Sequence, residues 1–247
     1  MSNPGKNQQP TEYRMWNRRI SQIPPTGENQ LYSHIDSKKV HLQSKLNKLF
    51  NKKRGGFFIE LGAHNGLFQS NTAFFEKEME WSGILIEPSL KGYEQCKKNR
   101  PNSICLNYAC VSNDYKDHYI EGDFEDNSPM ASVNAARLGG IEKRKKNMVK
   151  VKTITLEKIL DEHCNTDIDF LSLDTEGYEL EILKGVNFIK YRPKFLLIEV
   201  YVKDYNDIVN FLTLHNYKLH SNFTNYNKID NPNWDGTHND YLFIDNT

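Results

Sequence analysis

Three acids stand where an apolar run breaks: Glu60 in FFIELGAHNG, Glu87 in GILIEP and Asp174 in DFLSLDTEGYE. A carboxylate at such a break can accept from sugar hydroxyls, hold an ammonium, or take a proton from a reacting group. Around the first acid the pattern is E-x-G-x-x-x-G, with Gly62 and Gly66 bracketing Ala63, His64 and Asn65. Glycine at a strand-to-helix turn supplies torsions that other residues avoid and lets a ligand approach the main chain. A dinucleotide turn would read G-x-G-x-x-G, because a pyrophosphate must lie on the helix N-terminus. An acid here repels a diphosphate and suits an ammonium. Glu87 follows Gly66 by about twenty residues, the spacing at which such folds hold a ribose through an acid.

A third group lies in LDTEGYELEIL, where Asp174, Glu176, Glu179 and Glu181 cluster. Glu179 and Glu181 fall at the start of a helix, where its dipole favours acids, and read as structural. Asp174 and Glu176 fall at a strand end, where ligand groups sit, and read as functional. The first two acids point to a nucleoside ligand. They fit S-adenosylmethionine, with its amino group and sulfonium, and the ribose acid is shared with nicotinamide dinucleotides.

These residues need a scaffold that brings strand ends together. FFIEL, GILIEP, SICLNYACV, VKTITL, DFLSLD and KFLLIEV read as strands, separated by helix-like stretches such as SNTAFFEKEM, SLKGYEQCKKN with Ser89 as N-cap, GYELEILKGV and YNDIVNFLTLH. Strands alternating with helices predict an α/β fold with a mostly parallel sheet covered on both faces, and YKLHSNF and YLFID predict an antiparallel edge. Residues 1–54 read as an N-terminal arm, with Pro4, Pro10, Pro24 and Pro25, leading into a helix over Val40, Leu42, Leu46, Leu49 and Phe50 that Gly55-Gly56 ends. Residues 55–247 read as the main domain. Within it, 112–150 is irregular and is expected to hold a hairpin and a mobile loop around DNSPMASVNAARLGG.

Composition narrows the function classes. The chain has 247 residues with 32 basic and 32 acidic side chains, so bulk charge does not point to nucleic acid or an acidic membrane. The 12% aromatic content supplies a core that a disordered chain lacks. Cys96, Cys105, Cys110 and Cys164 form no C-x-x-C pair and read as free thiols in a reducing compartment. No leader-like apolar segment opens the chain and no run is long enough to span a bilayer, which predicts a cytoplasmic protein.

The words FFIELGAHNGLFQSNTAFFEKEMEWSGILIEPS, NRPNSICLNYACVS, IDFLSLDTEGYELEILKGV and FLLIEV resemble the FkbM-type S-adenosylmethionine-dependent methyltransferases. The resemblance implies a Rossmann-like class I methyltransferase fold with a seven-stranded sheet, and methyl transfer to an oxygen, commonly of a sugar or polyketide. By position, Glu60, Gly62, Ala63, Asn65 and Gly66 would line the methionine half of the cofactor, with Ser70, Asn71 and Thr72 beside them. Glu87, next to Pro88, would hold the ribose, and Asn107 and Ala109 would approach the adenine. The match fades over 112–150 and after Val200, the parts expected to choose the acceptor.

Such a transfer is an in-line displacement that depends on alignment, aided by a base that takes the hydroxyl proton. Asp174 is the first candidate, followed by Glu176 and His238, with His64 in the cofactor turn. Asp174 and Glu176 can alternatively hold a divalent cation, with Asn239 and Asp240 of THNDYLF as further donors, but two carboxylates alone do not assign a metal. The expected acceptor is a small molecule or glycan, for which Tyr119, Phe124, Tyr201, Tyr205, Phe223, Tyr226 and Trp234 offer stacking surfaces. A nicotinamide-dependent oxidoreductase and a non-catalytic nucleotide-binding domain are the alternatives on the same fold.

Overall fold

The computed structural model describes residues 32–125, 128–133 and 148–247. The proline-bearing stretch before residue 32, and with it most of the expected arm, lies outside the described residues. So do Gly139-Gly140 and the Lys-rich end of the expected loop.

The short apolar runs form strands because they are buried on both faces. β1 (Phe57–Leu61), β2 (Ser82–Ile86), β7 (Phe170–Leu173) and β8 (Phe195–Tyr201) are almost wholly buried. With β3 (Ile104–Leu106), β9 (Tyr217–Asn222) and β10 (His238–Asp245) they form a seven-stranded sheet in the order β3-β2-β1-β7-β8-β10-β9. The pairs β3-β2, β2-β1, β1-β7 and β7-β8 are parallel, and β10 runs antiparallel to both β8 and β9. The expected mostly parallel sheet with an antiparallel edge is therefore the observed one.

Successive side chains of a strand point to opposite faces, and the two cores follow that period of two. Ile59, Leu61, Ile84, Ile86, Leu171 and Leu173 meet one set of helices, α4 (Leu156–His163), α5 (Glu179–Leu183) and α6 (Tyr205–Leu214). Phe58, Leu85, Phe170 and Leu197 meet the other set, α1 (Leu42–Leu49), α2 (Ala73–Met79) and α3 (Leu90–Asn99). Phe50, just past α1, lies 5.1–5.3 Å from the rings of Phe75, Trp81, Phe170 and Phe195, which fixes the leading helix onto the sheet. The helix starts after the exposed Val40 and stops at Leu49, before the glycine pair. Ser89 caps α3 as expected, accepting from the Gly92 amide at 3.3 Å.

Two expected strands divide differently. SICLNYACV is broken at Asn107-Tyr108 into β3, on the main sheet, and β4 (Ala109–Val111), which leaves it. The break is held by the Asn107 amide, which donates to the carbonyls of Glu87 and Pro88 at 2.9 Å each. VKTITL forms most of β6 (Val149–Thr155), in a separate three-stranded sheet of order β4-β6-β5 with β5 (Tyr119–Gly122). β5 pairs antiparallel with β6, which lies mostly beyond the 112–150 stretch of the expected hairpin, and Ile120, Phe124, Val133 and Val151 form a small core beneath them.

Candidate active site

Strand order reverses between β1 and β7, since β2 and β3 extend from one side of β1 and β8 from the far side of β7. In a doubly wound sheet the carboxyl ends at that reversal form the ligand crevice. Here the Asp174 amide donates to the Leu61 carbonyl at 3.3 Å, joining the two strand ends. A cleft of about 900 Å³, counting its open mouth, lies over them. Glu60, Gly62 and Glu87 line it on the β1-β2 side, Asp174 and Glu176 on the β7 side, and Phe124 belongs to the wall from the small sheet.

Gly62 has φ +78, and a Cβ there would lie 1.7 Å from the Asp174 carbonyl oxygen. Gly66 has φ +79, and its Cβ would meet Arg100 Cγ at 2.8 Å and Cys96 Sγ at 3.0 Å. Glycine is required at both positions, but what it clears is the chain itself. Gly66 packs toward Cys96 and Arg100 at the end of α3 and does not line the cleft.

Glu60 is buried, and its carboxylate accepts from Ser70 Oγ at 2.8 Å, the Asn71 amide at 2.9 Å and Thr72 Oγ1 at 2.6 Å. Arg100 stands 3.7 Å away. Burial raises the pKa of Glu60, while the Arg100 charge and the three donors pull it back. The acid thus orders the residues that lead into α2, and Ser70 and Asn71 from that stretch line the cleft. Thr72 and Ala63 are buried away from it, and Asn65 Oδ1 accepts from the amides of Leu67 and Phe68, shaping the turn.

Glu87 lines the cleft beside Pro88 and Ala109. Its two oxygens accept from the His64 and Ser89 amides, at 2.7 Å each, and burial pushes its pKa up to about 7. Asn107 lines the adjoining groove and serves the β3-β4 break. His64, at φ +48, lines the cleft as part of the cofactor turn.

On the β7 side, Glu179 Oε1 accepts from the Thr175 amide at 2.9 Å, the Thr175 hydroxyl at 3.0 Å and the Gly177 amide at 3.1 Å. These bonds hold the turn that puts Glu176 at φ +61, a left-handed torsion costing a non-glycine residue about 1 kcal/mol. Glu179 is structural, as its position on a helix start predicts. Glu176 accepts from Tyr201 Oη at 2.6 Å. Carboxylate oxygens of Asp174, Glu176 and Glu199 all lie within 4.8 Å of one another. Glu199 comes from β8, where the register pairing Leu173 with Ile198 sets Asp174 beside it. His238, which opens β10 opposite Tyr201, does not line the cleft; its Nε2 lies 3.3 Å from Glu199 Oε1.

Sequence reasoning missed Glu199 and Arg100. The signal for Glu199 is one acid inside the apolar run FLLIEV, whereas nothing in NRPN marks Arg100 as fully buried. Asn239 does not join the acids, because its Oδ1 accepts from Thr224 Oγ1 at 3.0 Å and the Tyr226 amide at 2.6 Å.

Residues 60–219 match the model of the methyltransferase FkbM domain. The chain belongs to that family. Its cofactor is S-adenosylmethionine, and the nicotinamide alternative is set aside. Among curated proteins none matches the FkbM chain in sequence. Solved structures similar to it include a TehB-like SAM-dependent methyltransferase from Corynebacterium glutamicum, at 9% identity and TM-score 0.46, covering 95% of each chain. Another is the precorrin-6y C5,15-methyltransferase from Geobacter metallireducens, at 10% identity and TM-score 0.46, covering 90% of this chain and 100% of that one. Fibrillarin from Aeropyrum pernix, in complex with S-adenosylmethionine, is 12% identical with TM-score 0.41, covering 78% and 67%. Likeness at this level assigns nothing further to the FkbM protein. Among the described residues no helix is long and apolar enough to cross a membrane.

Proposed function

We propose that this FkbM methyltransferase transfers the methyl group to a hydroxyl of a small molecule or glycan, a sugar foremost, in the cytoplasm and without a nucleic-acid partner. The observation that supports the reading is the contact of the Asp174 amide with the Leu61 carbonyl, which brings a half-buried carboxylate and the Glu60-Gly62 turn into one cleft.

The wall residues suit the cofactor. Asn71 Oδ1 is buried with no hydrogen-bond partner among the described residues, and an ammonium supplies the donor it lacks. When bound, S-adenosylmethionine supplies a methyl carbon made electrophilic by its sulfonium. Asn71 and Ser70 hold the amino-acid end, oriented by Glu60. Glu87, its carboxylate aimed by the His64 and Ser89 amides, would accept from the ribose hydroxyls, with Pro88 and Ala109 on the side that would take the base. Asp174 takes the proton from the acceptor hydroxyl, and Tyr201 keeps Glu176 turned toward the same place. Phe124 and Tyr178 exclude water from the acceptor side. Most of the rate comes from holding acceptor and methyl carbon in line.

The test is incubation of the purified protein with S-adenosylmethionine and fractionated sugars and extracts, read by mass spectrometry. A product heavier by one methylene whose new methyl ether sits on oxygen is expected. A methylated nitrogen, carbon or nucleic acid would overturn the acceptor class.

A further inference from the structure

Asp174, Glu176 and Glu199 come from a strand end, a strained turn and the middle of a neighbouring strand, yet their carboxylate oxygens gather within 4.8 Å. Repulsion among such acids is relieved either by protons or by a cation. Glu199 indicates which. Its side chain is 8% exposed, and Oε2 has no hydrogen-bond partner among the described residues, while Oε1 is taken by His238. A buried carboxylate oxygen left without a donor is costly, and a cation would answer it together with the two acids beside it.

We propose that Asp174, Glu176 and Glu199 bind one divalent cation of the hard, oxygen-seeking kind at the floor of the cleft. Around Glu199 the acids Asp174 and Glu176 outnumber its basic neighbour, His238 on Oε1. A dication answers that field. Two oxygens on one ion stand at most twice the metal–oxygen distance apart, which is about 4.6–5.2 Å for calcium and about 4.2 Å for magnesium. Spacing of this order suits the larger ion with the least closing of side chains and the smaller with more. An all-oxygen donor set disfavours zinc. Asp174 and Glu176 line the cleft while Glu199 stands behind them, so the remaining coordination positions face the acceptor. An acceptor with two adjacent oxygens fits there, and its hydroxyl pKa falls on binding the ion. That last role rests on the hydroxyl-methylation reading, where the ion replaces Asp174 as the group that loosens the hydroxyl proton; binding of the ion does not.

The experiment titrates Mn²⁺ into the full chain, stripped with EDTA and free of cofactor and acceptor, reading free Mn²⁺ by electron paramagnetic resonance, with Ca²⁺ as competitor. One saturable site is expected. Glu199→Gln and Glu176→Gln should each weaken it at least about tenfold, a loss usual even for groups one step removed from an ion. Glu181→Gln, an exposed acid on α5 paired with Lys184, should leave it unchanged. Circular dichroism checks that each variant is folded, and either site variant suffices. No saturable uptake by the wild type, or uptake untouched in a folded site variant, overturns the proposal. Methyl transfer that persists in EDTA would leave the hydroxyl-methylation reading standing without the ion, and ion binding without transfer would leave the ion site without that reading.

Discussion

Two groups of buried acids flank the same cleft and differ in what answers their charge. Glu60 and Glu76 share Arg100, whose side chain is 0% exposed. Its guanidinium donates to Glu76 at 2.6 Å, the Gly66 carbonyl at 2.9 Å, Thr72 Oγ1 at 3.0 Å and Ser70 Oγ at 3.2 Å. Ser103 adds a further donor to Glu76. Glu199, in contrast, has the acids Asp174 and Glu176 beside it, His238 on one oxygen and no partner among the described residues on the other. A closed network of opposite charges rigidifies the turn that carries the cofactor wall. A cluster of like charges stores a field that a ligand, a proton or an ion must relieve. The first is scaffold and the second is where chemistry is expected.

The largest effect should come from breaking the scaffold. Arg100→Met strands two buried carboxylates and should cost about 3–5 kcal/mol, measured by urea unfolding. A loss of under about 1 kcal/mol, the range of exposed pairs, would remove Arg100 as the keystone of the turn. Next, Asp174→Asn keeps size and polarity but not basicity. Its kcat should fall on the order of a hundredfold while calorimetric S-adenosylmethionine affinity stays unchanged. An equal loss in both would move Asp174 from the acceptor to the cofactor.

Glu87 belongs to neither group: it is buried, and its carboxylate accepts from the backbone amides of His64 and Ser89. Glu87→Ala should weaken S-adenosylmethionine by about 1–3 kcal/mol. Its pKa, raised from 4.5 to about 7, sets two opposite pH trends. Without cofactor, its contribution to stability is fully present below pH 4.5 and is lost as pH rises through about 7. Cofactor affinity should rise over the same interval, because the ionised carboxylate is the better acceptor for ribose hydroxyls. Calorimetry across that range, flat in Glu87→Gln, checks the assignment.

The smallest effect sharpens the contrast through its sign. In cation-free buffer at alkaline pH, Glu199→Gln removes one of the like charges and should stabilise the protein. The gain should vanish below pH 4.5, where the acid is protonated folded or unfolded. Glu60→Gln should destabilise at neutral pH, because a single amide oxygen cannot serve Ser70, Asn71, Thr72 and the Arg100 charge together. Thermal melts showing the same sign for both variants would dissolve the distinction between the two groups.

Glu60, Glu87 and Asp174 were legible because a local rule exposes them: an apolar run of strand length ends in an acid, and glycine or proline stops the strand. The alternation of strands and helices likewise carries the parallel sheet, and Ser89 announces its own helix. The break in SICLNYACV was not legible, because it depends on Asn107 finding the carbonyls of Glu87 and Pro88, which are distant in the chain. Nor was the departure of β6 to a second sheet, since a strand pattern does not name its partner.

The sequence by itself therefore determined most of the elements and the acids at strand ends, set by periodicity over a few residues. Only the tertiary structure decided which acids meet. Glu199 joins Asp174 through the register of two parallel strands, and Arg100 reaches Glu60 and Glu76 through the packing of α3 on the cofactor turn. Both are long-range pairings whose energy lies in desolvation and charge, quantities that a residue acquires from its neighbours in space and not from its neighbours in the chain.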